Sequence, residues 1–575
     1  MSLFGSSSAR GLKQPGEILL SNNVGKGRAF FARPTIGSIT LCLLTTLFIM
    51  LVANHTLFSR ASVYLSSSPI VFAGFAIGVS ALLMAALTTV SVKYLTKPAL
   101  IFFVMVASIA SWFNDQFGVI IDKEMIRNAA VTTNAEAGHL ITAGFATHVF
   151  LTGILPSLLI AWVRISHHPF PKKFVRNMAV IIPCLLVFLA IGFGFSRTFA
   201  AVGRQHPDII LTFNPFIPIS SAVRYAVGSE RERNIVAQPL GTDAHRVRVA
   251  GESKPRVTII VAGETGRAQD FSLGGYARKT NPELEKQNIV YFPNASSCGT
   301  ATATSIPCMF SVYPRTAYTH RKGLETQNLL DVLTHAKVNV TWWDNDTGSY
   351  NVTDRVSYTF LPSSKDTRYC KDGECLDDIL LDKLDDWLDH VTGDSVLVLH
   401  QLGSHGPAYY LRYPEEYRRF TPDCRAAEFG NCKPEEIVNA YDNTILYTDH
   451  IVSTVIEKLK QRSAKISGSA IYLSDHGESL GENGVYLHGA PYVIAPVQQT
   501  HIPFLVWVSD DLSKTAGYDM SCLSKRADAP YSHDNLFHSV LGLMDVATKA
   551  YDPSLDVFSA CRRKPDTLAQ LGSGG

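Results

Sequence analysis

Oxygen nucleophiles and metal ligands crowd into a few short stretches of this chain. Residues 297–311 read SCGTATATSIPCMFS, so that Thr300, Thr302, Thr304 and Ser305 lie between Cys298 and Cys308. The apolar run VTIIVAGET ends in Glu264, VLVLHQLGSHGPAY contributes His400 and His405, and AIYLSDHGESLGENGVYLHG supplies Asp475, His476, Glu478 and His488. Carboxylate, imidazole and one oxygen nucleophile form a ligand set suited to zinc, and two further histidines could hold a second metal or a phosphate. Adjacent Asp475 and His476 can both face a metal only where the chain turns sharply, which Gly477 permits. The dipeptide alone says little. Joined to an acid at the end of another apolar run, and to His488 farther along, it points to a bound cation.

The clustered hydroxyls fit the same chemistry. A threonine hydroxyl is a poor nucleophile at neutral pH, but a metal ion lowers its pKa as it does that of water. At a helix start it also has backbone N–H groups aimed at an incoming phosphoryl group. TATATSIPCMFS reads as such a start, and a Cys298–Cys308 bridge would pin the turn that carries the nucleophile. Residue chemistry leaves Thr300 and Thr302 equally eligible, and a helix cap beside a structural disulfide is the plainer alternative.

The elements that must position these groups alternate in type. RVTIIVAG, VNVTWW, SVLVLHQLG, SAIYLSDHG and IPFLVWVS are short runs of Val, Ile and aromatics and read as buried strands. CLDDILLDKLDDWLDHV and YDNTILYTDHIVSTVIEKLKQ read as helices between them. This alternation predicts an α/β domain over 251–565 with a mostly parallel sheet flanked by helices. Ligands collect beyond the carboxyl ends of such strands, where the polar residues above occur.

The chain of 575 residues is uneven, and its net charge of +2 is uninformative about partners. Apolar runs near 36–53, 70–92, 98–113, 141–163 and 177–195 each approach the roughly 20 residues a helix needs to cross a bilayer. The third is short and ends in SWFNDQFG. Residues 1–199 are thus expected to form a transmembrane domain of five helices. The first run is too long and uninterrupted for a cleaved signal peptide. Residues 200–250 form a polar connector in which NPFIPISSAVRYAVGSERERN predicts a short helix along the membrane surface. Basic residues crowd one side: Arg10, Lys13, Lys26, Arg28 and Arg33 before the first span, Lys93 and Lys97 in the second loop, and Arg164, Lys172, Lys173 and Arg176 in the fourth. Arg60, Lys123 and Arg127 are alone on the other. The amino terminus is therefore expected in the cytoplasm and the larger domain outside.

Cysteine usage agrees. Cys42 and Cys184 fall within spans, and the other eight all follow residue 290, in a compartment that favours disulfides. Eight cysteines allow 105 pairings, but three pairs are close in the chain: Cys298 with Cys308, Cys370 with Cys375, and Cys424 with Cys432. Cys522 and Cys561 pair by elimination. Without repeated short C-x-x-C spacing, a cysteine-ligated zinc site is the weaker reading.

Together GETGR, SCGTATATSIPCMFS, HQLGSHGPAY and SDHGESLGENGVYLHG closely resemble the phosphoethanolamine transferases that modify lipid A, the family that includes the mobile colistin-resistance enzymes. The resemblance covers nearly the whole chain and implies five spans followed by a periplasmic domain of the alkaline phosphatase and sulfatase type. It implies Thr302 as the catalytic nucleophile, and one zinc ion held by the residues matching Glu264, Thr302, Asp475 and His476. His405 and His488 match histidines that bind substrate phosphate or a second zinc, and Thr300 and Glu478 match pocket residues. Asn128 and Glu136 match polar residues implicated in handling the lipid donor. Asp346 and Tyr350 in WWDNDTGSY depart from the asparagine and lysine the family often carries there.

The implied reaction transfers phosphoethanolamine from phosphatidylethanolamine to a phosphate of lipid A through a covalent threonine intermediate. It would lower envelope negative charge and confer resistance to polymyxin and cationic peptides. Another envelope glycan is the alternative acceptor, and a phosphoglycerol transferase the alternative enzyme. CMFSVYPR lacks the sulfatase nucleophile context. A monomer in the bacterial inner membrane is expected, with lipids and no nucleic acid as partners.

Overall fold

The computed structural model describes residues 33–563 apart from 67, 167 and 248–251. Arg10, Lys13, Lys26 and Arg28 of the predicted cytoplasmic segment lie outside the described residues. The amino-terminal part is helical. Helix α1 (Ser38–Val52) meets α2 (His55–Leu65) at a bend of 65°. Next come α3 (Pro69–Thr89), α4 (Thr96–Phe117), the short α5 (Lys123–Val131) and α6 (Asn134–Leu140), then α7 (Ala143–Trp162) and α8 (Phe170–Gly194). Among the described residues, α3, α4, α7 and α8 are by themselves long and apolar enough to cross a bilayer; the first predicted span makes a fifth only if the bent α1–α2 pair is taken as one. With 15 residues, α1 is about 22 Å long at 1.5 Å per residue, short of a hydrocarbon core of about 30 Å.

Polar residues that made the third span look weak are tied down inside the helical part. Asn114 donates to the carbonyl of Val119 at 2.6 Å and accepts from Asn214 at 2.8 Å. Asn214 in turn is bonded to Asn54 at the α1–α2 bend. The helix can therefore run on through Asn114 to Phe117, where Gly118 takes the left-handed conformation at φ 68°. Small residues on α3 let α8 pack closely: a Cβ on Gly74 would lie 3.0 Å from the Phe195 ring. Side chains such as Leu51, Ile70 and Phe193 are left exposed on the outer faces, as a lipid environment requires.

After α9 (Phe216–Glu232), the helix expected in the connector, comes an eight-stranded sheet. Its strands in chain order are β1 (Arg256–Gly263), β2 (Ile289–Ser296), β3 (Asn339–Asp344), β4 (Ser357–Phe360), β5 (Ser395–His400), β6 (Ser467–Ser474), β7 (His501–Val508) and β8 (Tyr531–Ser532). Their spatial order is β8-β2-β7-β6-β1-β5-β3-β4. Only β7 runs against its neighbours β6 and β2. Every residue of β1 is buried, and its side chains alternate between two cores. Ile260 and Ala262 join Leu330, Phe537 and Ile306 of helix α10 (Thr302–Met309) on one face. Ile259 and Val261 join Leu380, Tyr441 and Ile445 on the other, the last two from α11 (Pro434–Gln461).

Strand β2 had no counterpart among the predicted strands. Its sequence IVYFPNAS contains Pro293, and the register against β7 slips between Ile502 and Phe504, around Pro503. Each proline lacks an N–H, so the ladder bulges where the two meet. The predicted helix over 375–391 is also broken, into Ile379–Asp382 and Leu384–Asp389.

All eight late cysteines pair as expected: Cys298–Cys308, Cys370–Cys375, Cys424–Cys432 and Cys522–Cys561. Just after Cys375, buried Asp377 accepts from the backbone N–H groups of Leu402 and Gly403 at 2.9 and 3.0 Å and from Asn345 at 2.8 Å. It thereby fixes the loop leaving β5, in which Gly403, at φ 53°, passes so close to Glu264 that a Cβ would lie 2.6 Å from its carbonyl oxygen. Asp377→Ala should cost about 3 kcal/mol or more, since each buried N–H left without an acceptor costs roughly 1–3 kcal/mol. Thermal unfolding of the full chain in detergent checks this, with Asp377→Asn expected to lose less.

Candidate metal centre

The carboxyl ends of β1, β6, β5 and β3 converge, and each delivers polar groups to one buried spot. Glu264 follows β1 directly, and Asp475 and His476 follow β6; all three are at most 1% exposed. Thr302 opens α10 behind the extended Ala301, with the Cys298–Cys308 bridge joining the loop before the helix to its last turn. Its hydroxyl lies 3.3 and 3.2 Å from the two carboxylate oxygens of Glu264 and 3.4 Å from His476 Nε2. As at any helix start, the first N–H groups of α10 have no carbonyl partner within the helix. Thr300 is turned elsewhere: its hydroxyl donates to the carbonyl of Ala490 at 2.6 Å. The structure thus separates two threonines that residue chemistry alone could not.

The orientation of His476 points to a cation. Its Nδ1–H donates to the Gly477 carbonyl at 3.0 Å, which leaves the Nε2 lone pair directed at carboxylate oxygens of Asp475 (3.2 Å) and Glu264 (3.5 Å). Lone pairs facing one another in a buried site repel unless a cation or proton lies between them. Asp475 Oδ2 has no hydrogen-bond partner although buried, while Oδ1 accepts from the backbone of His476 and Thr265. The ligand atoms of Glu264, Asp475 and His476 lie within 4.8 Å of one another, close enough to share one ion. Two carboxylates, an imidazole and a hydroxyl suit zinc. Gly477 is required for a reason other than the predicted turn: a Cβ there would run into the Gln498 carbonyl oxygen.

Burial pushes the Glu264 carboxyl well above its ordinary range, reinforced by the neighbouring charges of Asp475 and Asp346. Burial likewise raises Asp475 and lowers His476 well below the usual histidine value. These directions describe a site that resists carrying bare charge and is relieved by a bound cation.

His405 and His488 line the approach. Burial lowers His405, and the neighbouring His488 adds to that; its Nε2 is 3.3 Å from Glu136. His488 is pulled the other way: burial opposes its charge, but Glu478, 3.2 Å from Nδ1, leaves it raised overall. Burial also raises Glu478 and Glu136. Glu136 comes from α6, in the loop between membrane helices, so the helical part contributes a side chain to the site. Asn128 on α5 lines, with Glu136, His405 and His488, an otherwise apolar cavity of about 290 Å³ between α4 and the site.

A second cluster escaped the sequence reading as a group. Asp346, two residues beyond the end of β3, and His400, the last residue of β5, approach Glu264 from the side opposite His476. Strands β3 and β5 are paired in parallel with Asp344 opposite His400, and His400 Nδ1 lies 3.0 Å from Asp344 Oδ2. The available signal was WWDND itself, an apolar run ending in acids like the others. Burial raises Asp346 to about 7, and although burial opposes charge on His400, Asp344 and Asp346 carry it to about 9.

Linkage gives the sign for Asp346. The folded chain keeps a proton that the unfolded chain releases near 3.8, so this group costs stability as pH rises from about 4 to about 7. Metal-stripped Asp346→Asn should therefore melt progressively higher than metal-stripped wild type across that interval, and converge with it near pH 4. Paired thermal melts in chelator check this.

Comparison with known proteins agrees with the architecture. The family described as Sulfatase matches residues 256–546, and that described as Phosphoethanolamine transferase EptA/EptB matches residues 79–229. Phosphoethanolamine transferase EptA of Salmonella typhimurium is 40% identical over 545 residues, which is 93% of this chain and 99% of that protein. Phosphatidylethanolamine transferase Mcr-1 of Escherichia coli is 33% identical over 530 residues, 89% of this chain and 96% of that protein. The solved structure of the integral membrane protein lipooligosaccharide phosphoethanolamine transferase A from Neisseria meningitidis superposes with a TM-score of 0.89 at 36% identity, covering 92% of this chain and all of that one.

Proposed function

Since the chain belongs to the EptA/EptB family of phosphoethanolamine transferases, we propose that it moves phosphoethanolamine from phosphatidylethanolamine to a phosphate of lipid A, through a covalent intermediate on Thr302 at a zinc ion. The observation that carries this reading is the Thr302 hydroxyl, within 3.4 Å of Glu264 and His476 and backed by the start of α10.

Glu264, Asp475, His476 and Thr302 would hold the zinc. Bound there, it supplies Lewis acidity, making an alcohol a better nucleophile and drawing charge from a phosphoryl oxygen. The chain's own groups do the rest. Thr302 gives up its hydroxyl proton to solvent as Oγ1 attacks the phosphorus of the donor. The new O–P bond forms as the bond to the diacylglycerol oxygen breaks, and that oxygen leaves as the alcohol with a proton from the pocket. The threonine is left as its phosphoethanolamine ester, to be re-protonated when the second transfer frees it. N–H groups at the start of α10 steady the phosphoryl oxygens. His488, whose charged form Glu478 favours against the opposing effect of burial, is suited to give a proton to the departing diacylglycerol oxygen, while His405, which burial disfavours as a cation, is suited to hydrogen-bond the phosphoryl group. A lipid A phosphate oxygen then attacks the ester phosphorus and frees Thr302. Lipid A gains a positive ammonium and loses net negative charge, which weakens attraction of polymyxin and other cationic peptides.

The apolar cavity beside Asn128 and Glu136 is suited to the donor's glycerol and proximal acyl chain, next to the phosphate at His405 and His488. In this reading residues 1–199 form the inner-membrane domain, 200–250 the connector and 251–565 the periplasmic catalytic domain, and the protein acts as a monomer.

Incubating the purified full chain with fluorescent phosphatidylethanolamine should release diacylglycerol. Thr302→Ala should abolish release and the phosphoethanolamine adduct seen by mass spectrometry, whereas Thr300→Val should keep the adduct. Lipid A from cells expressing the wild type should gain phosphoethanolamine; an unchanged lipid A spectrum alongside diacylglycerol release would move the acceptor to another envelope glycan.

A further inference from the structure

We propose that Glu264, Asp346 and His400 hold a second divalent cation of the kind that takes mixed oxygen and imidazole ligands, zinc or manganese, sharing Glu264 with the ion at Asp475 and His476. The inference rests on the zinc reading above and adds a site to it, away from the His405–His488 pair.

The ligand atoms of the three side chains lie within 4.8 Å of one another. His400 is completely buried, and its Nδ1–H donates to Asp344 Oδ2. Asp344 is itself held by Trp342 Nε1–H at 2.9 Å and by the Asp346 N–H at 3.0 Å. A carboxylate fixed in this way behind an imidazole is how metal-ligating histidines are commonly oriented. The other nitrogen, Nε2, has no hydrogen-bond partner, and neither has Asp346 Oδ1, though both are buried. Asp346 Oδ2 stands 3.7 Å from Nε2, too far for a hydrogen bond but suitable for two atoms on one ion.

Charge balance points the same way. Among the described residues, the ion-pair partners of Glu264, Asp344, Asp346 and Asp475 are His400 and His476 alone, with no lysine or arginine. When all four carboxylates are ionised and the histidines are neutral ligands, one divalent ion offsets two of the charges and a second offsets the other two. Space is present beside one of the three ligands: a cavity of about 20 Å³, the size of a single water or ion, lies against Asp346 and is lined also by Glu136, Thr347 and His405.

The test counts ions. Full-length protein in detergent is equilibrated with zinc, and separately with manganese, freed of excess metal and assayed by elemental mass spectrometry. Wild type should carry two ions per chain with at least one of the metals, and Asp346→Asn and His400→Gln one each. A single ion in wild type, unchanged by either substitution, overturns the second site while leaving the zinc reading intact; no ion in wild type overturns both. Should either variant fail to fold, anomalous scattering from metal-loaded wild-type crystals decides. A second peak about 2.0–2.2 Å from His400 Nε2 upholds the inference, and its appearance between His405 and His488 instead, or an imidazole protonated on both nitrogens with no peak, overturns it.

Discussion

The tertiary structure depends on one electrostatic problem: carboxylates gathered at the ends of parallel strands with too little positive charge beside them. Glu264, Asp344, Asp346 and Asp475 are all buried, and their neighbours are histidines. A fold driven by apolar burial does not by itself tolerate such a cluster. Its persistence makes sense if the native form of the site is charged with cations, whose binding free energy then contributes to folding. The cores on the two faces of the sheet hold the strands rigid enough that the carboxylates cannot retreat.

The helical part is a structural partner of that site as well as an anchor. Helices α5 and α6 lie over the catalytic face, bringing Glu136 to His405, Glu124 to the Thr304 hydroxyl at 3.2 Å, and His139 to Glu374 at 2.8 Å. Glu374 also pairs with Arg412, whose Nε–H donates to the His405 carbonyl. The site is thus roofed by residues from the helical part, and an apolar cavity of about 290 Å³ lies on that side.

The departures from sequence expectation have local causes. Hydropathy sees apolar length but not direction: the first predicted run, 36–53, matches α1 alone, and the less apolar α2, reached through a 65° bend at Ala53 and Asn54, had no counterpart among the predicted spans. Strand β2 was hidden by Pro293, a residue that argues against a central strand until a second proline, Pro503, is found opposite it. Asp346 and His400 were each visible as polar residues at strand ends, but their meeting depends on β3 pairing with β5, which connects residues 56 apart at the Asp344–His400 contact.

The order of residues along the chain sufficed for the class of fold, the alternation of strand and helix, the disulfide partners and the short polar strings that carry chemistry. These are local properties: side-chain periodicity, span length, cysteine spacing. Which groups share a cavity was decided by the sheet order β6-β1-β5-β3, because only lateral pairing sets Glu264 between His476 on one side and His400 on the other. The different surroundings of Thr300 and Thr302 are also tertiary: residue chemistry treats two hydroxyls two residues apart alike, and they become distinct when one finds the Ala490 carbonyl and the other finds Glu264.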